Sequence, residues 1–274
     1  METTPEEEEK VAKEAEERKL PPVHVVFETI RLEGEHEISR TPLALWFSGL
    51  AAGLSMGFSL IVSGLLRAHL PDAPWRPLVQ NFGYTTGFLI VIMGRQQLFT
   101  ENTLTPILPL LRHPSVSTVG KVLRLWLVVL FANILGCAIV AYLVVHTGTF
   151  GHDVRTAFAQ IGTAAYSGPF WTVFWRAFFG GWLIALMVWL IPTSEGGASA
   201  AIVVIVTYIV GIGGFSHIVA GSVDTLFSVF NGDRTALQFL MQFFIPTLCG
   251  NVVGGVLLVS LLGFAQVKPD EKET

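Results

Sequence analysis

His217 stands in an otherwise apolar run, directly after Gly211-Ile212-Gly213-Gly214-Phe215-Ser216, where a helix is hard to continue. An imidazole there can manage a proton for a small weak acid, or, when neutral, donate a hydrogen bond that orients it. Desolvation opposes the imidazolium and an arriving anion favours it, so residue type alone leaves both roles open. An ion also loses far more than its neutral acid on leaving water, so an apolar constriction favours the protonated species.

Other charged and polar residues share this apolar background. Arg95-Gln96-Gln97-Leu98-Phe99-Thr100-Glu101-Asn102-Thr103 interrupts a second apolar run, with Pro106 and Pro109 following it. An ionised side chain at bilayer depth costs a few kcal/mol and usually faces protein or water with a partner. Arg95 and Glu101 therefore read either as an internal salt bridge that stiffens the loop or joins protomers, the favoured reading, or with Arg95 as an anion attractor. Asp224 lies two helical turns after His217. It is expected to pair with Arg95 or Arg176 or to sit at a vestibule. Two acids and two arginines also permit a cation or proton pathway. Arg176 opens a later apolar block, where it either snorkels to the interface or draws anions. Asn133 and Asn251, each in an Asn-x-x-Gly run, are expected to pack helices by hydrogen bonding rather than to touch substrate.

The elements that position these residues follow from composition. The chain has 274 residues, 51% hydrophobic and 14% charged, against about 25% charged in soluble domains. Residues 1–40 hold 12 acids, all Glu, and 6 bases, whereas residues 41–267 hold 6 acids and 9 bases. This predicts a charged cytoplasmic extension (1–40), a membrane domain (41–267) and a polar cytoplasmic tail (268–274). Residues 5–19 favour a solvated helix. Residues 23–40 read as a partly disordered tail or as a weakly amphipathic segment whose Val26, Phe27 and Ile30 meet the membrane surface or a partner subunit.

Six apolar blocks follow, at about 42–68, 78–111, 119–146, 168–192, 199–231 and 236–265. The second and fifth are too long for one crossing, and both are interrupted at mid-depth. Paired breaks point to an inverted repeat around a central site. Asn133 and Asn251 are 118 residues apart, and the same offset carries Phe99 onto His217. The expected architecture is all-α and polytopic, with six transmembrane helices in an inverted 3+3 repeat. Basic residues in the short loops mildly favour both termini in the cytoplasm. A basic stripe for nucleic acid is absent, and neither a metal-ligand set nor a nucleotide or nucleophile motif occurs, so nucleic acid, metal, cofactor and enzymatic chemistry are not expected. Cys137 and Cys249 both lie in apolar runs and support no disulfide framework.

These residues resemble the formate/nitrite transporter family, over about 40–267. The likeness is carried by Gly49, Gly53 and Gly57; Leu98-Phe99-Thr100; Asn133 with Gly136; His217-Ile218-Val219-Ala220; and Ile245-Pro246-Thr247 followed by Asn251-Val252-Val253-Gly254-Gly255. The run from Arg95 to Thr103 looks closest to the YfdC-like branch of bacterial inner-membrane proteins. The resemblance implies an aquaporin-like bundle assembled as a homopentamer in the inner membrane, passing small monovalent weak-acid anions. His217 then matches the central pore histidine, Thr100 the threonine that engages it, and Leu98 and Phe99 residues near the constrictions, with Phe215 beside them. Departures from the family pattern are Gln96, Gln97 and Glu101 around Leu-Phe-Thr, Gly221 in place of asparagine, and Ala185 in place of a polar residue. The lysine of the outer vestibule has no match, and Arg95 is the candidate to replace it. These departures keep a second reading open: the same fold with an altered or closed pore acting as scaffold or sensor, or a channel for a different small solute or cation.

Overall fold

In the computed structural model, Glu9, Lys13 and residues 20–166, 168–194, 196–257 and 262–267 are described. The helix expected over residues 5–19 and the tail 268–274 fall almost wholly outside them.

The chain is all helical across these residues. In order, α1 spans Val23–Ser39, α2 Pro42–His69, α3 Arg76–Met93, α4 Ile107–Arg112, α5 Val116–His146, α6 His152–Ala165, α7 Phe170–Leu190, α8 Gly197–Ile212 and α9 Ala220–Phe230. The last spanning helix, α10 (Ala236–Leu257), holds a π-helical stretch at Phe239–Phe244, and α11 spans Leu262–Val267. Four helices, α2, α5, α7 and α10, are long and apolar enough to cross a bilayer. Local sequence starts them. Thr41 caps α2 by accepting from the Ala44 amide, Ser115 caps α5 by accepting from Thr118, and Thr235 with Gln238 forms a capping box on α10.

The second and fifth crossings are broken, α3 before α4 and α8 before α9. Both breaks use one device. The Gln96 amide donates to the Val91 carbonyl and that of Arg95 to Ile92; Phe215 likewise donates to Val210, and Gly214 to Gly211. This is a Schellman termination, whose penultimate residue must be left-handed. Gly214 takes φ 60° without a Cβ penalty, whereas Arg95 takes φ 49° with one.

Two helix pairs clasp the breaks. α2 packs on α5 and α7 on α10, each through a glycine crossing. A Cβ on Gly53 would lie 2.1 Å from the Asn133 carbonyl oxygen, and one on Gly181 2.3 Å from that of Asn251. Small residues permit this backbone approach, which gives dispersion contact where lipid supplies no hydrophobic drive.

Three expectations need correction. Residues 152–165 form α6, which the apolar blocks omitted; His152, Asp153 and Arg155 in its first turn hide it from a hydropathy reading. The repeat offset at the breaks is 119, not 118, because Gln96 and Phe215 occupy equivalent turns; Leu98, not Phe99, lies opposite His217. The segment 23–39 is a helix docked on its own chain. Val26, Phe27 and Ile30 are buried with Leu104, Leu108, Ala185 and Val188, rather than facing a membrane surface or a partner. Arg124 of α5 donates to the carbonyls of Ile38 and Arg40 and fixes the end of α1.

Candidate pore and vestibule

Asn133 and Asn251 position the two breaks. The Asn133 amide donates to the carbonyls of Gly49 (2.7 Å) and Gln97 (2.9 Å), and its oxygen accepts from the Phe99 amide (2.9 Å). Asn251 repeats the pattern with Ala177 (2.7 Å), Ser216 (2.9 Å) and the Ile218 amide (2.8 Å). Each side chain thus ties a spanning helix to the unwound strand of a broken one. The polar break residues are also satisfied locally: Gln97 accepts from Asn102, and the Asn102 carbonyl accepts from the Trp126 indole. That is the condition under which non-helical backbone survives at bilayer depth.

Between the clasps lie His217 and Thr100, 1% and 0% exposed. Thr100 Oγ1 is 2.7 Å from His217 Nε2. The Ala220 amide donates to His217 Nδ1 at 3.1 Å. A backbone N–H only donates, so Nδ1 is the acceptor and the neutral ring carries its hydrogen on Nε2, directed at Thr100. The threonine hydroxyl hydrogen then stays available to another acceptor. Phe88 abuts the imidazole edge-on at 4.8 Å between centroids. Leu98 and Phe99 are buried, Phe99 against Trp126. Phe215 packs on Phe179 and lines a cavity.

That cavity, of about 390 Å³, opens on the face opposite α1 and has His217 among its lining residues. Arg67, Arg176 and Asp224 line it together with Tyr84 and the amides of Gln80, Asn81 and Gln160. Arg67 donates to Gln160 (2.7 Å) and Gln80 (3.0 Å), so neutral amides hold it and its charge is not cancelled. Gly221 leaves room for Phe243, since a Cβ there would lie 2.6 Å from that ring.

The charged candidates separate accordingly. Arg176 and Asp224 share the cavity, and Asp224 makes no contact with Arg95. Arg95 is 82% exposed and bonds Glu33 of α1 at 3.1 Å, instead of pairing with Glu101. The reason is the docking of α1, which brings an acid beside the break. Glu101 opens the short 3-10 turn Glu101–Thr103 on the α1 side. Sequence reasoning missed Arg67 as a lining residue. Its signal, an arginine near the end of α2 facing Gln80 and Gln160, looks from sequence like ordinary snorkelling.

Comparisons with known proteins agree with this geometry. The profile of the formate/nitrite transporter family matches residues 24–265. The inner membrane protein YfdC of Escherichia coli (strain K12) is 43% identical over 258 residues, covering 94% of this chain and 83% of that protein. Among solved structures, an FNT family ion channel superposes with a TM-score of 0.79 at 20% identity, covering 89% of this chain and 99% of the other. A pentameric formate channel with formate bound gives 0.70 at 18% identity, covering 83% and 98%. The matched length, the paired breaks and the two asparagine clasps together establish that this chain belongs to the formate/nitrite transporter family, a family of membrane transporters rather than enzymes.

Proposed function

We propose that this chain conducts small monovalent weak acids of the formate and nitrite class, with His217 and Thr100 at the narrowest point. The observation that carries the reading is the 2.7 Å contact between Thr100 Oγ1 and His217 Nε2, with His217 lining a cavity of about 390 Å³. The acid enters the vestibule, where Arg67 and Arg176 raise the local anion concentration. At the floor, the hydroxyl of Thr100 donates to a substrate oxygen while the Nε2 hydrogen holds the hydroxyl in place. Leu98, Phe99, Phe215 and Phe88 supply an apolar collar that disfavours a bare anion. Asn133 and Asn251 hold the frame and do not touch substrate. Glu101 and Arg95 belong to the opposite mouth, under α1.

In this reading the protein lies in the bacterial inner membrane with both termini cytoplasmic, and residues 1–40 and 268–274 flank the pore domain. The inner-membrane relative and the basic short loops support that topology. It assembles as a homopentamer, as the solved formate channel does. The test is uptake of formate and nitrite into proteoliposomes. Wild type should exceed empty vesicles, and His217→Ala should lose substrate selectivity. Equal flux in wild type and empty vesicles would overturn the reading. A second reading, a closed-pore scaffold or sensor, is favoured by the seating of α1 against the break, where Gly34 meets the Thr105 carbonyl. Absence of flux both in wild type and in protein lacking residues 1–38 would select it.

A further inference from the structure

We propose that Asp224 is the proton-exchanging group of the vestibule, giving its proton to the weak-acid anion before the acid passes His217. This rests on the proposed transport function and adds its proton route.

The placement comes from α9. Its first turn is tied to the imidazole by the Ala220 amide, and Asp224 lines the same cavity as His217. Among the described residues, no hydrogen bond or ion pair holds its carboxylate, and no other carboxyl lines the cavity. The ionisable groups of the surrounding elements are Arg67 from α2, Tyr84 from α3, Cys137 from α5 and Arg176 from α7, with His217 preceding α9. From α6 the cavity receives Gln160, Ile161, Ala164 and Ala165, and from α10 Phe243, none of them ionisable.

His217 is badly placed to give the proton. Its neutral form carries one hydrogen, on Nε2, and it gains a second only by breaking the Ala220 N–H···Nδ1 bond. A proton for the substrate is better supplied from a group that faces water and has no competing partner. Asp224 lines the cavity, and among the described residues its carboxylate has no hydrogen-bond or ion-pair partner.

The step balances. The O–H bond of the protonated carboxyl breaks and an O–H bond forms on the substrate anion. Asp224 is left as a carboxylate in a cavity that Arg67 and Arg176 also line. The neutral acid crosses the collar. The carboxylate then takes a proton from water at the cavity mouth. One proton moves with each anion, so no net charge crosses.

The experiment is formate uptake into proteoliposomes at varied pH on the cavity side, comparing wild type, Asp224→Asn and Asp224→Glu. The expected result is a fall of about tenfold or more in Asp224→Asn, with the remaining flux following only the titration of formic acid itself, and recovery of rate and pH profile in Asp224→Glu. Wild-type rate and profile in Asp224→Asn overturn the proposal. Infrared difference spectra of the purified protein give a readout independent of transport. A protonated-carboxyl band that titrates with pH in wild type and vanishes in Asp224→Asn supports the proposal, and its absence from wild type refutes it. Where wild type carries no formate, the transport reading fails, and the infrared band still decides whether Asp224 exchanges its proton with the cavity.

Discussion

Replacing Asn251 with alanine should both destabilise the protein and abolish selective flux. The side chain makes three hydrogen bonds, to the Ala177 and Ser216 carbonyls and from the Ile218 amide, and it is fully buried. Side-chain hydrogen bonds in membrane proteins average about 0.6 kcal/mol, so three set a floor of about 2 kcal/mol. The substitution also strands the break's own polar groups. The Ile218 N–H and Ser216 C=O lie outside helical hydrogen bonding, and each orphaned buried group costs about 1–3 kcal/mol, for a ceiling of about 6 kcal/mol. At roughly 2–4 °C per kcal/mol for a chain of this size, melting should fall by at least about 4 °C. Asn133→Ala should cost a comparable amount, because it strands Gln97 and Phe99 in the same way. Asn251→Asp is the sharper variant: it keeps the acceptor for Ile218 and loses both donors. The measurement is thermal unfolding of the detergent-solubilised protein, paired with formate flux. Melting within about 2 °C of wild type for both alanine variants, with flux intact, would show that these asparagines are not the clasps on which the site depends.

Other consequences follow from the α1 face and the vestibule. A methyl group on Gly34 would sit 2.0 Å from the Thr105 carbonyl oxygen, so Gly34→Ala should lift α1 at a cost of about 1–3 kcal/mol; hydrogen exchange across residues 23–39 should accelerate, and unchanged protection would contradict the close packing. Burial holds the Glu37 carboxyl above the ordinary glutamate range, with Arg40 at 3.4 Å partly opposing. Its protonation therefore favours docked α1: this stabilisation is complete below the unfolded value of about 4.3 and is lost as pH rises through the higher folded value. Glu37→Gln should remove that dependence, and an unaltered pH slope in α1 exchange would exclude Glu37 as its source. Arg67→Gln should lower formate uptake most at low ionic strength and little at high salt, since steering charges are screened within about 10 Å at 0.1 M; a loss independent of salt would point to packing instead.

Much of the site was legible because it breaks local rules. Glycines and polar residues inside apolar runs are rare enough to mark the interruptions, and two Asn-x-x-Gly runs at nearly one offset exposed the repeat. The parts that were hidden depend on tertiary contact. Nothing local shows that Glu33 will meet Arg95, 62 residues away, because that pairing exists only once Val26, Phe27 and Ile30 have docked. The left-handed φ of Arg95 was equally unreadable, since glycine is the residue such a position normally requires. α6 escaped for a different reason: its polar first turn lacks the continuous apolar run of a spanning segment, and its burial on α9 comes from assembly.

The repeat also explains why the reactive pair is not itself symmetric. At the offset of 119 set by the two Schellman turns, Leu98 is the counterpart of His217, and Val219 the counterpart of Thr100. The imidazole and the hydroxyl that meet at 2.7 Å thus come from non-equivalent positions. The asparagine clasps, the glycine crossings and the helix terminations are duplicated because each half must bury an interrupted helix on the same physical terms. Chemistry enters where the halves diverge. Arg95 stands against Gly214, Glu101 against Ala220 and Asn102 against Gly221, so the α1 side of the pore carries charge and amide groups at positions that are small or apolar on the other break. A strictly duplicated chain would hold the same frame but place two leucines, or two histidines, at the centre, and neither arrangement sets a ring nitrogen against a hydroxyl.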